Sequence, residues 1–192
     1  MSQAIAETSA TIANLLAAYE GESNAHAKYD FFAAKADAEG WLGAASLFRA
    51  AARAEQIHAA NHARVIKKLG GDARCEIHAV AVKSTLENLK AALAGEQYEI
   101  ETMYPGFIAE ASGIDIALAR RTYTWAMEAE KTHAQLFQEA IGLVELRLKT
   151  SWVGFACPFY VCAACGFTTN TPEEQARCPV CNLAWDKFEV IR

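Results

Sequence analysis

The sequence predicts a mainly α-helical protein in which a four-helix bundle is followed by a small metal-bound domain. Three observations carry this prediction. Most of residues 1–150 are alanine-rich with apolar residues at helical spacing, Glu-x-x-His occurs twice there, and two Cys-x-x-Cys pairs lie near the C-terminus. We therefore predict a helical domain over residues 1–150 and a metal-bound domain over residues 151–192.

The composition of the 192-residue chain narrows the class of protein. A hydrophobic fraction of 53% is ample for a core, and the net charge of −5 speaks against nucleic acid and against an anionic membrane surface as partners. The first residues lack the basic and apolar regions of a secretory signal, and no apolar run approaches the ~18 residues of a membrane-spanning helix. We therefore expect a cytoplasmic protein with no membrane contact, whose paired cysteines bind metal instead of forming disulfides.

Four helices are predicted from the apolar spacing and from the signals at their ends. They cover residues 7–39, 41–69, 84–112 and 114–149. Gly70-Gly71 ends the second helix, and Ser84 with Glu87 forms a capping box at the start of the third. Residues 70–83 are numerous enough to cross the length of the bundle. Pro105 is expected to kink the third helix or to open a short irregular turn.

Carboxylates and imidazoles recur near the middle of all four predicted helices. Two residues three apart on a helix point the same way, so each Glu-x-x-His pair can present both side chains to one centre. The candidate ligands are Glu22, Glu55, His58, Glu96, Glu99, Glu130 and His133. This is the ligand set of a carboxylate-bridged di-iron centre in a four-helix bundle.

A cluster of five carboxylates makes physical sense only if metal ions neutralise it. Burying five negative charges without cations would cost many kcal/mol or force protonation. Two divalent ions supply four positive charges, and oxygen ligands with a few imidazoles suit iron or manganese better than zinc. Glu55 and Glu130 are the natural bridges, since each opens a Glu-x-x-His pair. The alternative is that these glutamates are solvated, and His62 is interpreted as an ordinary core or surface histidine.

The last forty residues are predicted to fold around a second metal site. Its ligands are Cys162, Cys165, Cys178 and Cys181. Gly166 permits a tight turn after the first pair, and Asn182 suits a left-handed conformation after the second. So short a segment needs the metal for folding energy, but the spacing does not choose between structural zinc and redox-active iron. Cys75 and Cys157 are interpreted as free thiols. A small core around the site is expected from Phe159, Phe167, Trp185 and Phe188.

These motifs, in this order, resemble those of the rubrerythrins over essentially the whole chain. The matching segments are Gly21-Glu22-Ser23, Glu55-x-x-His58, Glu96-x-x-Glu99, Met103-Tyr104-Pro105, Glu130-x-x-His133 and the two cysteine pairs. The resemblance implies a ferritin-like di-iron bundle followed by a rubredoxin-like four-cysteine iron domain, in which zinc can replace iron in recombinant protein.

The resemblance also implies a role for each ligand. One iron would be bound by Glu22 and Glu99 and the other by Glu96 and His133. Glu55 and Glu130 would bridge the two irons. On reduction the first iron would move from Glu99 to His58. Tyr29 and Tyr104 match the tyrosines that lie beside the centre in this family.

The activity that the resemblance implies is reduction of hydrogen peroxide to water in oxidative-stress defence. Electrons would enter through the four-cysteine iron from rubredoxin or from an NAD(P)H-dependent reductase. Because the two sites of one chain could be far apart, we expect transfer between subunits of a head-to-tail homodimer or a higher homo-oligomer. A ferritin-type ferroxidase and a non-catalytic binding protein with a zinc ribbon are the alternatives. The sequence leaves open the electron donor and the preference for peroxide over oxygen.

Overall fold

Four helical rods form the larger part of the chain in the computed structural model, which describes residues 2–111, 116–171 and 176–192. The α-helices are α1 (Ser2–Ala38), α2 (Leu42–Lys68), α3 (Thr85–Tyr98), α4 (Tyr104–Glu110) and α5 (Ile116–Glu145). A π-helical segment, Glu99–Met103, joins α3 to α4, so these three make one rod. α1 packs mainly on α2, and α3 mainly on α5. The helix limits predicted at residues 112–114 lie outside the described residues.

The end of α2 and the start of α3 follow the predicted signals, whereas α1 begins at Ser2 instead of Glu7 and α5 ends at Glu145 instead of Lys149. The backbone of Gly70 has a φ of +85° directly after α2, a conformation that glycine adopts without steric cost. The Ser84 hydroxyl oxygen accepts a hydrogen bond from the Glu87 N–H, and the Glu87 carboxylate accepts one from the Ser84 N–H. The predicted capping box is therefore confirmed.

The connection between α2 and α3 runs lengthwise along α1, as its length predicted. Midway along it, Asn24 of α1 donates a hydrogen bond to the carbonyl of Glu76 and accepts one from the N–H of His78. At its far end, the N–H and hydroxyl of Thr85 donate to Glu39, which lies just before α2. α3 thus begins at the end of the bundle where α2 also begins, and the two helices run in the same direction.

Pro105 neither ends the third rod nor opens a turn. The irregularity is the π-helical segment just before it, in which the N–H of Tyr104 donates to the carbonyl of Glu99, five residues back. Proline has no N–H to offer to the carbonyl of Glu101, so the regular i to i−4 ladder is broken at this point in any case. The expected local irregularity is present, but as a π bulge within a continuous helix.

Two apolar clusters divide the bundle along its length. The first is built around an aromatic group whose neighbouring ring centroids lie 5.5–6.3 Å apart, namely Tyr29, Phe32, Phe48 and Phe137. The second contains Tyr104 and Tyr123 packed with Leu15 and Ile66. Each cluster turns one tyrosine hydroxyl toward a buried glutamate, Tyr29 toward Glu96 and Tyr104 toward Glu22. The polar residues of the bundle interior are therefore enclosed between two dry regions.

The C-terminal segment forms a small antiparallel sheet. Its strands are β1 (Phe159–Cys162), β2 (Thr168–Thr169) and β3 (Phe188–Ile191), in the spatial order β2-β1-β3. Tyr160 of β1 pairs with Thr169 on one side and with Val190 on the other. Short 3₁₀ turns at Trp152–Gly154 and Trp185–Lys187 precede the first and last strands.

One face of β1 packs directly on the helical bundle. Phe159 and Val161 are fully buried and belong to the first apolar cluster, whereas Phe167 and Phe188 pack around the cysteines. The expectation that Phe159 contributes to a separate small core is therefore wrong. Successive residues of a strand point to opposite faces of the sheet. Phe159 and Cys162 are three positions apart, so Phe159 faces the bundle while Cys162 faces away from it.

The described helices also bear on membrane contact. Within the described ranges, no helix combines the length and the apolar character needed to cross a bilayer.

Candidate metal centre

Six of the seven predicted bundle ligands converge in the interior. Each of them is at most 1% exposed, and they are Glu22, Glu55, His58, Glu96, Glu130 and His133. Helix α1 contributes one of them, α2 two, α3 one and α5 two. The spacing of three residues places each Glu and His of α2 and α5 on one helical face, as the sequence predicted.

The six side chains form two groups of four that share two members. One group is Glu22, Glu55, His58 and Glu130, and the other is Glu55, Glu96, Glu130 and His133. Within each group the ligand atoms all lie within 4.8 Å of one another. His58 Nδ1 is 2.8 Å from an oxygen of Glu55 and 2.8 Å from one of Glu130, and His133 Nδ1 is 2.7 Å from the second oxygen of Glu130. The shared residues, Glu55 and Glu130, are those expected to bridge.

Several atoms of this site are buried without a well-aligned hydrogen bond, although imidazole nitrogens lie 2.7–2.8 Å from the Glu130 oxygens. Among the described residues, these are Glu22 Oε2, Glu96 Oε2, both carboxylate oxygens of Glu130 and His133 Nδ1. Buried polar atoms in proteins are nearly always paired, and leaving one unpaired costs about 1–3 kcal/mol. Five such atoms in one place fit a site whose missing partners are cations. The donor set of carboxylates and imidazoles therefore fits two metal ions.

The outward nitrogens of the two imidazoles have acceptors of their own. His58 Nε2 donates to the carbonyl of Cys165 over 3.0 Å, and His133 Nε2 lies 3.1 Å from the Thr168 hydroxyl. A metal-binding histidine characteristically offers one nitrogen to the metal and holds the other N–H on a carbonyl, carboxylate or water. Both rings are therefore oriented with Nδ1 toward the carboxylates.

The charges within the cluster balance when no metal is present. Burial and the charge of Glu130 raise the pKa of Glu55 well above its ordinary value and that of Glu96 to about 7. Burial also acts to raise the pKa of Glu130, but the charges of His58 and His133 outweigh it and the pKa is lowered. Despite burial, the carboxylates raise the pKa of both histidines. Protons on imidazoles and on some carboxylates thus take the place of metal charge.

Glu99 is the predicted ligand that lies outside both groups. It is the first residue of the π-helical segment and is only partly buried, and the first group contains His58 where the resemblance gives Glu99 or His58. Burial and the charge of Glu22 raise the pKa of Glu99 well above its ordinary value. Glu99 thus remains close enough to the cluster to interact with its charges.

Each of the two predicted tyrosines donates a hydrogen bond to a carboxylate oxygen of the cluster. Tyr29 donates a hydrogen bond to Glu96 over 2.5 Å, and Tyr104 donates one to Glu22. Burial and the neighbouring carboxylate charge raise the pKa of each hydroxyl well above its ordinary value, so both remain protonated at neutral pH. Each hydroxyl fixes the orientation of one terminal carboxylate.

Sequence reasoning underestimated His62. The side chain is fully buried, as expected of a core histidine, but it links the site to α5 by hydrogen bonds. Its Nε2 lies 3.1 Å from the Tyr104 hydroxyl and its Nδ1 lies 3.1 Å from the Thr122 hydroxyl. The sequence signal for this role is that His62 follows His58 by four residues, which places it one helical turn further along the same face of α2.

The four predicted cysteines converge, with Cys162 at the end of β1. The Cys162 and Cys181 sulfurs lie 3.4 Å apart and those of Cys165 and Cys178 lie 3.5 Å apart, and all four lie within 4.8 Å. The predicted turns are confirmed, with φ of +80° at Gly166 and of 64° at Asn182. Cys75 and Cys157 are free thiols, also as expected.

The protonation of these thiols shows why a cation fits among them. Hydrogen bonds from the neighbouring thiols hold the pKa of Cys178 at about 2. Hydrogen bonds between Cys165 and both Cys162 and Cys178 raise the pKa of Cys165 well above its ordinary value. A thiolate at Cys178 therefore makes ionisation of the neighbouring Cys165 thiol unfavourable. A cation that binds all four sulfurs removes this conflict, because the thiolate is the metal-binding form of cysteine.

The two clusters are neighbours within one chain. The carbonyl of Cys165 accepts the hydrogen bond from His58, and the adjacent Gly166 lies so close to that ring that an added Cβ would be 2.3 Å from Nε2. Nearby, Asn61 donates to the carbonyl of Ala164 over 2.8 Å. The two sites of one chain, which on the sequence alone could be far apart, therefore lie next to each other. The sequence does not show that the face of α2 bearing His58 is covered by the first cysteine pair.

The fold and the two clusters together define a class of protein: a ferritin-like four-helix bundle with a carboxylate–imidazole site for two metals, joined to a rubredoxin-like four-cysteine cluster. The sequence profile described as Rubrerythrin matches residues 13–141. Rubrerythrin-2 of Clostridium acetobutylicum is 38% identical over 178 residues, which covers 92% of this chain and 94% of that protein. Nigerythrin of Nitratidesulfovibrio vulgaris is 34% identical and covers 93% of this chain and 85% of its own.

Solved structures agree with the sequence comparison. The fully reduced, all-ferrous state of nigerythrin has a TM-score of 0.82 at 32% identity, covering 94% of this chain and 86% of that one. A bacterioferritin of Desulfovibrio desulfuricans has a TM-score of 0.70 at 20% identity, covering 78% and 90%, which shows likeness of fold alone. The chain therefore belongs to the rubrerythrin family. The predicted family and fold class are both confirmed.

Proposed function

We propose that the protein is a non-haem di-iron peroxidase that reduces hydrogen peroxide to water. The observation that carries this proposal is the hydrogen bond from His58 to the carbonyl of Cys165, which joins the two-metal site to the four-cysteine cluster. An iron-storage centre has no need of a four-cysteine iron, whereas a peroxidase must be supplied with electrons after each turnover. Family membership supports the same assignment.

The proposed metal ligands follow the two groups of buried side chains. Glu55 and Glu130 would be shared by two irons, His133 and Glu96 would complete the ligands of one iron, and Glu22 with either His58 or Glu99 would complete those of the other. A third iron would be held by Cys162, Cys165, Cys178 and Cys181. When bound in the bundle, two ferrous ions supply both electrons for one peroxide and act as Lewis acids toward its oxygens.

The protein side chains control protons and water at this site. Reduction of one H₂O₂ to two H₂O consumes two electrons and two protons. Tyr29 and Tyr104 keep their protons at neutral pH and hold Glu96 and Glu22 in place, while the two apolar clusters exclude bulk water. The N–H of His58 stays hydrogen-bonded to the Cys165 carbonyl, which orients the ring. From that carbonyl, the bonds of Cys165 itself continue the path to a sulfur ligand.

Glu99→Ala is expected to leave metal binding to the reduced protein intact. It is expected to slow peroxide turnover by about tenfold or more, the effect that loss of one residue around a metal site commonly has on activity. The reason is that His58 already occupies the first group while Glu99 lies outside it. Iron content of the anaerobic reduced protein and steady-state peroxide consumption measure the two effects.

The matched control for this variant is Glu101→Ala. Glu101 belongs to the same π-helical segment but is exposed, so its loss should change neither quantity. Normal turnover by Glu99→Ala would contradict the exchange of Glu99 with His58.

An anaerobic peroxide titration of the fully reduced protein tests the proposed function itself. One equivalent of peroxide per bundle site is expected to restore the ferric absorption of the bundle, and further peroxide to restore the red ferric-thiolate colour. A response to oxygen without a response to peroxide would favour a ferritin-type ferroxidase. A colourless protein would indicate zinc in the four-cysteine site and would contradict the electron route.

A further inference from the structure

A cavity of about 210 Å³ opens between α2 and α5 beside the first cysteine pair. Its walls carry three cationic side chains, Arg64 and Lys68 from α2 and Arg121 from α5, together with Trp125 and Asn61. We call it the cationic pocket. None of its three cations contributes to the bundle site or to the cysteine cluster described above.

The cations of this pocket have no carboxylate partner within the part of the chain that the structure describes. Across residues 2–111, 116–171 and 176–192, no ion pair involves Arg64, Lys68 or Arg121, although cations elsewhere pair with acids, as Arg53 does with Glu189. Arg64 donates to the side-chain oxygen of Asn61, and the Arg121 guanidinium lies over the Trp125 ring at 5.4 Å. The pocket is therefore a local concentration of positive charge on a chain whose net charge is −5.

The pocket lies against the four-cysteine cluster. Trp125 packs on the cluster that contains Cys162 and Cys165, and Asn61 donates to the carbonyl of Ala164 between them. A second cavity of about 480 Å³ shares Asn61 and Arg64 and extends to Ala163, which is exposed. The two residues between Cys162 and Cys165 are alanines, so a partner seated over the second cavity would meet the exposed Ala163 directly beside the cysteine pair.

We propose that the cationic pocket docks an acidic one-electron redox protein that reduces the four-cysteine centre. This inference rests on the proposed function, which requires electrons to enter at that centre. Each encounter transfers one electron: the partner's metal is oxidised by one, the four-cysteine centre is reduced by one, and no bond forms or breaks. A nicotinamide donates two electrons as hydride, so it does not match a one-electron acceptor directly.

Charge complementarity also sets the kind of complex. Electron-transfer complexes bury little area, commonly less than about 1,200 Å², and depend on electrostatic steering for their association rate. Complementary charge raises such rates by about 10–10³-fold, and salt removes the effect. Three cations without an ion pair among the described residues, next to a redox centre that lies just below the exposed Ala163, suit a transient acidic partner.

The test measures binding of a defined acidic probe to the metal-loaded full chain. The probe is an isotope-labelled rubredoxin of net negative charge with zinc in place of its iron, titrated by NMR chemical shift. We expect Arg64→Glu and Arg121→Glu each to weaken binding by about tenfold, and binding to the unmodified chain to weaken as salt rises.

Lys83→Glu is the matched control because it makes the same change of charge at the opposite end of the bundle. Lys83 is exposed and precedes α3, which begins beside the start of α2, whereas Arg64 lies 22 residues along α2, or about 33 Å. It should change binding by less than about twofold. Unchanged binding of the probe to both arginine variants would overturn the proposal, as would tight binding of NADPH in this pocket with no binding of the acidic probe.

A separate measurement distinguishes failure of docking from failure of the proposed function. With dithionite as the electron source, peroxide consumption does not depend on a docked protein, so the arginine variants should match the unmodified chain. If the unmodified chain with dithionite consumes no peroxide, the proposed function fails. The binding results then still decide whether the pocket recognises an acidic protein.

Discussion

Removal of the bundle metals is expected to destabilise the protein more at about pH 8 than at about pH 6. Without metals, the folded chain keeps protons on Glu55, Glu96, His58 and His133, whose pKa values are all raised, that of Glu96 to about 7. The unfolded chain loses these protons at ordinary pKa values. Since the folded state then binds more protons, its stability falls as pH rises through this window.

The groups with lowered pKa values do not reverse this trend. Glu22 and Glu130 contribute stability above the ordinary value of 4.5 and lose it only in acid. Burial lowers the pKa of His62, so this one group opposes the trend near pH 6, against four groups that produce it. For each proton that the folded chain binds and the unfolded chain does not, the free energy of unfolding falls by about 1.4 kcal/mol per unit rise in pH. One such proton over two pH units amounts to about 2.7 kcal/mol, or roughly 5–10 °C in Tm for a chain of this size.

Thermal unfolding followed by far-ultraviolet circular dichroism measures this effect, because the helical signal comes from the bundle. The metal-loaded protein is the control, and its Tm should change much less over the same interval since metal binding displaces the protons. In the metal-free protein, Glu96→Gln should flatten the dependence by removing the group with a pKa of about 7. A metal-free Tm that rises from pH 6 to pH 8 would contradict this account of the site.

Gly166→Ala is expected to separate the two metal sites. Its Cβ would lie 2.3 Å from Nε2 and 2.9 Å from Cδ2 of His58, and the backbone φ of +80° is itself strained for alanine. The left-handed conformation costs about 1–2 kcal/mol. Overpacking adds about 1–3 kcal/mol. We expect the cysteine pair to move away from His58, breaking its hydrogen bond to Cys165 and slowing electron transfer between the sites.

Gly70→Ala is the control that isolates the contact from the strain. The backbone at Gly70 has a φ of +85°, but nothing lies within 4 Å of an added Cβ. Denaturant unfolding gives the stability of each variant, and stopped-flow reoxidation of the four-cysteine iron by peroxide gives the rate of transfer. If the two variants lose equal stability and transfer at equal rates, close packing of Gly166 on His58 has no functional role.

The features that sequence reasoning captured are local ones. The capping box at Ser84, the glycine after α2 and the left-handed Asn182 each depend on neighbouring residues only. The paired ligands on α2 and α5 likewise follow from helical spacing, because Glu55 and His58 must share a face wherever the helix lies.

The features that it missed depend on which surfaces meet. Phe159 packs on the bundle, and Cys165 reaches His58, because the first strand lies against α2. No spacing rule within residues 151–192 contains that information. The sequence likewise identifies His62 only as a core or surface histidine, because the partners that reveal its hydrogen bonds, Tyr104 and Thr122, come from two other helices.

The π-helical segment also determines how the third rod presents its residues. Glu96 and Tyr104 are eight positions apart, which in a regular α-helix is a rotation of about 800°, leaving them about 80° out of line. The bulge absorbs one residue, so the effective rotation is about 700° and the two side chains come within about 20° of one another. One extra residue in Glu99–Met103 thereby keeps a single face of the rod turned to the centre on both sides of the π-helical segment, with Glu96 before it as a candidate ligand and Tyr104 after it as the donor to Glu22.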